Sequence, residues 1–359
     1  MIKLLLHISL IISLFSVSLQ ASETTKETTN SVTSEQEEFH ADKMIFEHIL
    51  DAYEWHITTI GETHISIPLP VIVYSKHTGL HIFSSSRFHH GEESYNGFEI
   101  AEEGPYEGKV VELLPDGSIE RPIDISITKD VLAVFFSMFL MLWIFITASK
   151  RYKDAPDKAP SGIQSWVEPI IVFVKDDIVK SSIGEKRYEK YLPFLLTIFF
   201  FIWINNLLGL IPLFPGGANI TGNITITMAL ALFTFVITTF SGNKHYWKEI
   251  FNPEVPWWLK FPIPLMPLVE FMGVFIKPFV LMVRLFANIS AGHIVALGFY
   301  SLIFVFGHMN VGAGYGASVL SVAFTIFMGL LELLVAFIQA YVFTLLSALY
   351  FGMATEEHH

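Results

Sequence analysis

The chain has 359 residues, of which 52% are hydrophobic and 16% charged, and its mean hydropathy is +0.51. Soluble domains carry about 25% charged residues, so this composition excludes an ordinary soluble protein and points to a membrane. There is no cysteine, which excludes disulfides, cysteine-ligated zinc and thiol catalysis.

Charge is unevenly placed. Residues 22–130 hold 21 acidic and 7 basic side chains, and the remainder is close to neutral and apolar. The pattern predicts an acidic water-facing part followed by a membrane part. Residues 1–21 read as a secretory signal: Lys3, a short apolar run from Leu4 to Leu19, then small residues at Ser16, Ser18 and Ala21. A retained anchor helix is the rival reading, and either places residue 22 onward outside the cytoplasm.

Residues 22–129 are expected to form an extracytoplasmic domain, mostly β, with a disordered start. Residues 22–38 are polar and low in complexity. Residues 41–53 predict one short helix. From Glu54 to Ile127, β-branched and aromatic runs alternate with turn residues such as Pro115 and Gly117. Histidines recur at positions 40, 48, 56 and 64, then at 77, 81, 89 and 90. That spacing crosses different elements, so they read as surface or packing groups, with no metal site assigned.

Residues 130–359 predict five spans, at about 131–149, 192–212, 223–241, 262–306 and 317–353. Lys150, Arg151 and Lys153 follow the first span, and Lys244 and Lys248 follow the third. Basic residues flank cytoplasmic ends, so the C-terminus is also expected in the cytoplasm. Residues 162–181 mix apolar and charged positions and predict an amphipathic interfacial helix. Gly307, Gly312, Gly314 and Gly316 predict the loop between the last two spans. Those segments, of roughly 40 residues, would reach ~60 Å, about twice the hydrocarbon core. Each must therefore tilt strongly or break. The expected fold class is an all-α polytopic membrane domain with two long strongly tilted helices, plus the small β domain.

Between Phe261 and Met353 the only Asp, Glu, Lys or Arg residues are Glu270, Lys277, Arg284 and Glu332, and His293 is also at depth. A charge at the bilayer centre costs at least ~2.5–3.5 kcal/mol, so each is a functional candidate. Snorkelling or a structural ion pair competes as an explanation for Lys277 and Glu270, but scarcely for Arg284, more than 20 residues from a charged loop. Glu270, Lys277 and Arg284 are spaced by seven and lie along one helix face, which Asn288 nearly shares. His293 lies on the other side. Glu332 and Gln339 share a face of the next helix, and a hairpin brings His293 and Glu332 together as an acid–histidine pair suited to proton relay.

Three segments carry a resemblance. Residues 278–288 (PFVLMVRLFAN) with 290–292 (SAG), residues 206–212 (NLLGLIP) and residues 340–357 (AYVFTLLSALYFGMATEE) resemble, in order, the motifs of the F-type ATP synthase subunit a family. The likeness covers about residues 130–359. It implies a proton-translocating stator that offers two half-channels to a rotating c-ring, in a bacterial inner membrane. It also implies b-type peripheral stalk subunits and the remaining synthase subunits as partners. By this resemblance Arg284 is the essential ring-facing arginine, Asn288 and Gln339 are polar positions beside it, His293 and Glu332 form the outer half-channel pair, and Glu270 lies near the cytoplasmic exit. The acid and histidine stand in the order of mitochondrial forms, and the β region is an extension to the core family pattern.

Arginine is in effect always charged. It can lower the pKa of a facing carboxylate yet cannot hand on a proton, so it also blocks a leak between half-channels. Neither a phosphate-binding glycine loop nor a basic nucleic-acid patch is found, and no cofactor is expected. Two alternatives stay open: a stand-alone secondary transporter or ion channel, weakened by the lack of an inverted repeat, and a non-conducting assembly protein.

Overall fold

The computed structural model describes residues 50–60, 63–91, 93–102, 104–115, 117–154, 159–211, 214–253 and 265–356. The signal reading at 1–21, the polar run at 22–38 and most of the expected helix at 41–53 lie outside these residues. Leu50–Tyr53 are non-helical and lead directly into the first strand.

Among the described residues, eight short strands make three small antiparallel sheets. They are β1 (Glu54–Ile60) with β2 (Thr63–Pro68), β4 (Gly79–Ser84) with β3 (Pro70–Ser75) and β8 (Ile123–Asp124), and β5 (Phe98–Ile100) with β6 (Val110–Leu113) and β7 (Ile119–Glu120). Period-two alternation in β3 sends Val71 and Val73 inward. There they pack with Tyr53, Phe88, Phe98 and Val110. The Tyr53 hydroxyl donates to Asp124, and burial first, then that carboxylate, pushes its pKa upward. The histidines of this region are dispersed: His77 meets Glu120, His90 meets Glu54, and His81 lies edge-on to Phe98.

Among the described residues, the α-helices of eight residues or more that follow are α1 (Lys129–Asp154), α2 (Ile163–Phe173), α3 (Tyr188–Gly209), α4 (Ile224–Ser241), α5 (Lys244–Phe251), α6 (Leu265–Met309) and α7 (Val311–Thr355). Among the described residues, five are long and apolar enough to cross a membrane: α1, α3, α4, α6 and α7. With 45 residues each, α6 and α7 reach about 67 Å at 1.5 Å per residue. They form a hairpin that packs on α3 and α4 around Leu195, Phe199, Leu281, Leu285, Phe343 and Phe351.

Two details differ from the sequence expectation. The glycines expected in a loop are helical, and the turn is Asn310 alone, whose side chain accepts from the Gly312 N–H at 2.8 Å. Their role is close approach: a Cβ at Gly314 would stand 2.8 Å from the Gly307 Cα. The interfacial segment is also less superficial than expected. After α2 it runs on through a π-helical stretch, Val174–Lys180, and Val174, Ile178 and Val179 are fully buried in the core shared with α3 and α7.

The β region meets the start of α1. Trp55 of β1 packs with Ala133, Ala218 and Ile220, and its ring is edge-on to Phe214 in the α3–α4 loop. That loop therefore lies at the β end of the bundle. At the opposite end, the Asn243 N–H donates to the Ala354 carbonyl at 3.0 Å, and Tyr246, Ile250 and Ala354 cluster with Val274.

Candidate functional site

A 45-residue helix carries few charges for a physical reason, and the structure separates those of α6 into two settings. Arg284 and Asn288 are exposed, one turn apart, on the face of α6 turned away from the chain's own core. Leu281 and Leu285, beside Arg284 in sequence, face the other way and are fully buried. Among the described residues Arg284 makes no ion pair or hydrogen bond. Its outward neighbours at helical spacing are Val280, Ala287 and Ala291, all exposed, and the two alanines follow it toward the His293 end. Alanine at such positions lets another helix approach closely.

His293, further along α6, lies at the β end of the helix on the inward side. Its Nδ1 stands 3.8 Å from Oε1 of Glu332 on α7, and both side chains are largely buried. Glycines make the room. A Cβ at Gly292 would stand 2.7 Å from Glu332 Oε1, so the carboxylate rests on bare backbone. At Gly209 of α3 a Cβ would crowd the Ala218 carbonyl at 3.3 Å and come into ordinary contact with His293 Nε2 at 3.7 Å. Both glycines lie inside the motifs quoted from the sequence, but the side chains they meet, Glu332 and His293, are more than 35 residues away along the chain.

A buried polar staple fixes this pocket from the α3 side. Asn206 Nδ2 donates to the Ala336 carbonyl of α7 at 3.2 Å, and Thr221 Oγ1 donates to Asn206 Oδ1 at 2.5 Å. Ser290 Oγ donates to the Gly222 carbonyl at 3.3 Å. Each such bond contributes about 0.5–1.5 kcal/mol, and a buried amide left unpaired costs more. Together they hold α3, α6, α7 and the loop at 219–223 in one register.

The remaining predicted residues fall elsewhere. Gln339 is buried, 4% exposed, two turns beyond Glu332 on α7. It therefore does not share the exposed surface that carries Arg284 and Asn288. Glu270 is half-buried near the start of α6, at the end away from the β region. Its charge, after burial, raises the pKa of Tyr246 on α5. Lys277 lies over the Tyr350 ring at 5.6 Å from its centroid, a cation–π contact that accounts for a structural share of its role.

The arrangement thus has an isolated cation on an outward face, an acid–histidine pair toward one end, and an acid toward the other. Comparison with known proteins bears on it directly. The family model described as ATP synthase A chain matches residues 131–352, and a domain of unknown function, DUF8433, matches residues 44–127. ATP synthase subunit a of Chlorobium phaeobacteroides is 37% identical over 329 residues, covering 86% of this chain and 90% of that protein. ATP synthase subunit a 2 of Chlorobaculum tepidum is 43% identical over 67% of this chain and 68% of its own length. Subunit a of Myxococcus xanthus is 41% identical over 68% of this chain and 77% of its own.

Proposed function

The chain belongs to the ATP synthase subunit a family, a multi-pass membrane protein and the proton-translocating stator of an F-type synthase; from that premise we propose how its residues divide the work. Arg284 faces the carboxylate of a rotating c subunit. It lowers that carboxylate's pKa as the ring passes, and the proton is released toward the exit side. Because its guanidinium does not deprotonate, it also separates entry from exit. The outward placement of Arg284, with Ala287 and Ala291 exposed beside it, is the observation that supports this reading.

Protons enter at the β end, pass His293 and Glu332, load the ring, and leave past Glu270. Asn288 and Gln339 are polar supports between the two routes. The β region lies on the extracytoplasmic side of a bacterial inner membrane, residues 130–359 form the conducting domain, and the partners are the c-ring, the b-type stalk and the remaining synthase subunits. Each proton descending 100 mV releases ~2.3 kcal/mol, so several are used per ATP.

Because the chain has no cysteine, a single one reports its surroundings cleanly. Ser118→Cys, in the exposed turn between β6 and β7, is expected to react with a membrane-impermeant thiol reagent only from the extracytoplasmic side. The tagged chain is expected to purify with a c-ring and the soluble ATPase head. Labelling from the cytoplasmic side alone would overturn the orientation, and purification of the chain by itself would favour a stand-alone transporter.

A further inference from the structure

The first membrane helix begins with two adjacent charged residues, and both are withdrawn from solvent. Lys129 is 7% exposed and Asp130 is 3% exposed. Charged groups at a membrane border ordinarily extend into water, so this burial needs a reason. Asp130 is held from two sides. Its backbone N–H donates to Asp51 Oδ1 at 3.0 Å, and Asn223 Nδ2 donates to its Oδ2 at 2.8 Å. The other carboxylate oxygen, Oδ1, is buried without a hydrogen-bond partner among the described residues. Lys129 Nζ donates to the Leu50 carbonyl at 3.1 Å. The docked segment of the β region thus closes over the carboxylate.

Polar groups continue from there toward the acid–histidine pair. Asn223 ends the short turn Ile220–Gly222, and the Gly222 carbonyl accepts from Ser290. Ser290 is three residues, or one helical turn, before His293. Asn219, at the head of the same turn, is 5% exposed, and both side-chain heteroatoms lack partners among the described residues. An unpaired buried polar atom is costly, and ordered water that bonded to these atoms would both satisfy them and offer protons a route.

We propose that Asp130 is a further proton-path residue, the outermost ionisable group of the entry half-channel, which hands protons along the Asn219–Asn223 turn to His293 and Glu332. The carboxylate takes a proton from water at the β end. It releases that proton to a water held by the turn, and the imidazole accepts it, so no other reactant is involved. Among the described residues, the charged groups within electrostatic reach of Asp130 are Asp51 on the docked segment, Lys129 beside it and Lys109 on the β region. Lys129 in turn lies within reach of His293. The proposal rests on the reading of His293 and Glu332 as the entry pair.

The test uses the intact complex in vesicles, with ATP synthesis driven by an imposed gradient at several entry-side pH values. A capture group matters most when protons are scarce. Asp130→Asn is expected to lower the rate roughly five-fold at alkaline entry-side pH but less than about two-fold at acidic pH, and Asp130→Glu to retain most of it. An unchanged rate, or a loss of the same factor at every pH, would overturn the proposal, since a structural role predicts no pH dependence of the ratio. Glu332→Gln is measured alongside. If it stops synthesis while Asp130→Asn is silent, the proposal fails and the entry-pair reading stands. Full synthesis in Glu332→Gln means that the entry-pair reading has failed.

Discussion

Replacing Arg284 with alanine is expected to abolish proton-driven ATP synthesis while leaving the protein inserted and the complex assembled. Arg284 is exposed on the outward face of α6, so its removal opens no cavity in the chain's own core. Its charge is costly for insertion, so losing it does not work against membrane integration. The loss falls on the facing carboxylate, which keeps its proton as it passes the stator when no fixed positive charge lowers its pKa. Arg284→Lys is expected to restore only part of the rate. An ammonium in a low-dielectric site can deprotonate, and it lacks the planar fork of a guanidinium. The measurement is synthesis in vesicles under an imposed gradient, with an immunoblot for assembly. Normal synthesis in the alanine variant would remove the role assigned to Arg284.

The second large effect is expected at a residue with no side chain. Gly292→Val places a Cβ where it would stand 2.7 Å from Glu332 Oε1 and 3.3 Å from Glu332 Cγ. The carboxylate, as the end of a flexible side chain, swings away rather than the helices separating. That breaks its 3.8 Å approach to His293. A misplacement of about 1 Å at a reacting group can cost on the order of 100-fold in rate, and a loss of at least about ten-fold in synthesis is expected here. Gly298→Ala is the matched control, because its Cβ meets nothing within 4 Å. Full synthesis in Gly292→Val would show that the Glu332 position does not matter. Loss in both variants would point to assembly instead.

Much of the membrane fold was legible because hydrocarbon imposes simple rules. Unbroken apolar runs marked all five spans, and length arithmetic marked α6 and α7 as too long to stand upright. Arg284 stood out through the cost of its charge. What escaped notice depends on contacts between distant parts of the chain. Gly314 reads as a loop residue because glycine is the usual residue of turns, yet here it lets two backbones meet at Gly307. Residues 162–181 read as an amphipathic interfacial helix, and which partner covers its apolar residues Val174, Ile178 and Val179 depends on α3 and α7, distant in sequence. Lys129 and Asp130 read as the wetted flank of a span, because nothing local announces that residues 50–52 fold back over them. Asn206 lay inside a recognised motif, but its partners Ala336 and Thr221 appear only in three dimensions.

The clasps at both ends of the α6–α7 hairpin have a mechanical meaning. At one end Gly307 and Gly314 bring the helices into backbone contact; at the other, Asn243 binds the Ala354 and Glu356 carbonyls while Val274 packs against Tyr246. Arg284 lies between these clasps, near the middle of α6. A beam fixed at both ends bends far less under a central load than one fixed at a single end, and a rotating partner that met Arg284 as proposed would load α6 near its centre. Stiffness there is a matter of electrostatics, since the energy between two charges in a low-dielectric site changes steeply with each ångström. Asn243→Ala releases one clasp. It is expected to leave the rate at low load nearly unchanged, but to let the rotor slip, with more protons spent per ATP, as the opposing phosphorylation potential rises. An unchanged proton-to-ATP ratio under high load would show that the far clasp bears no torque.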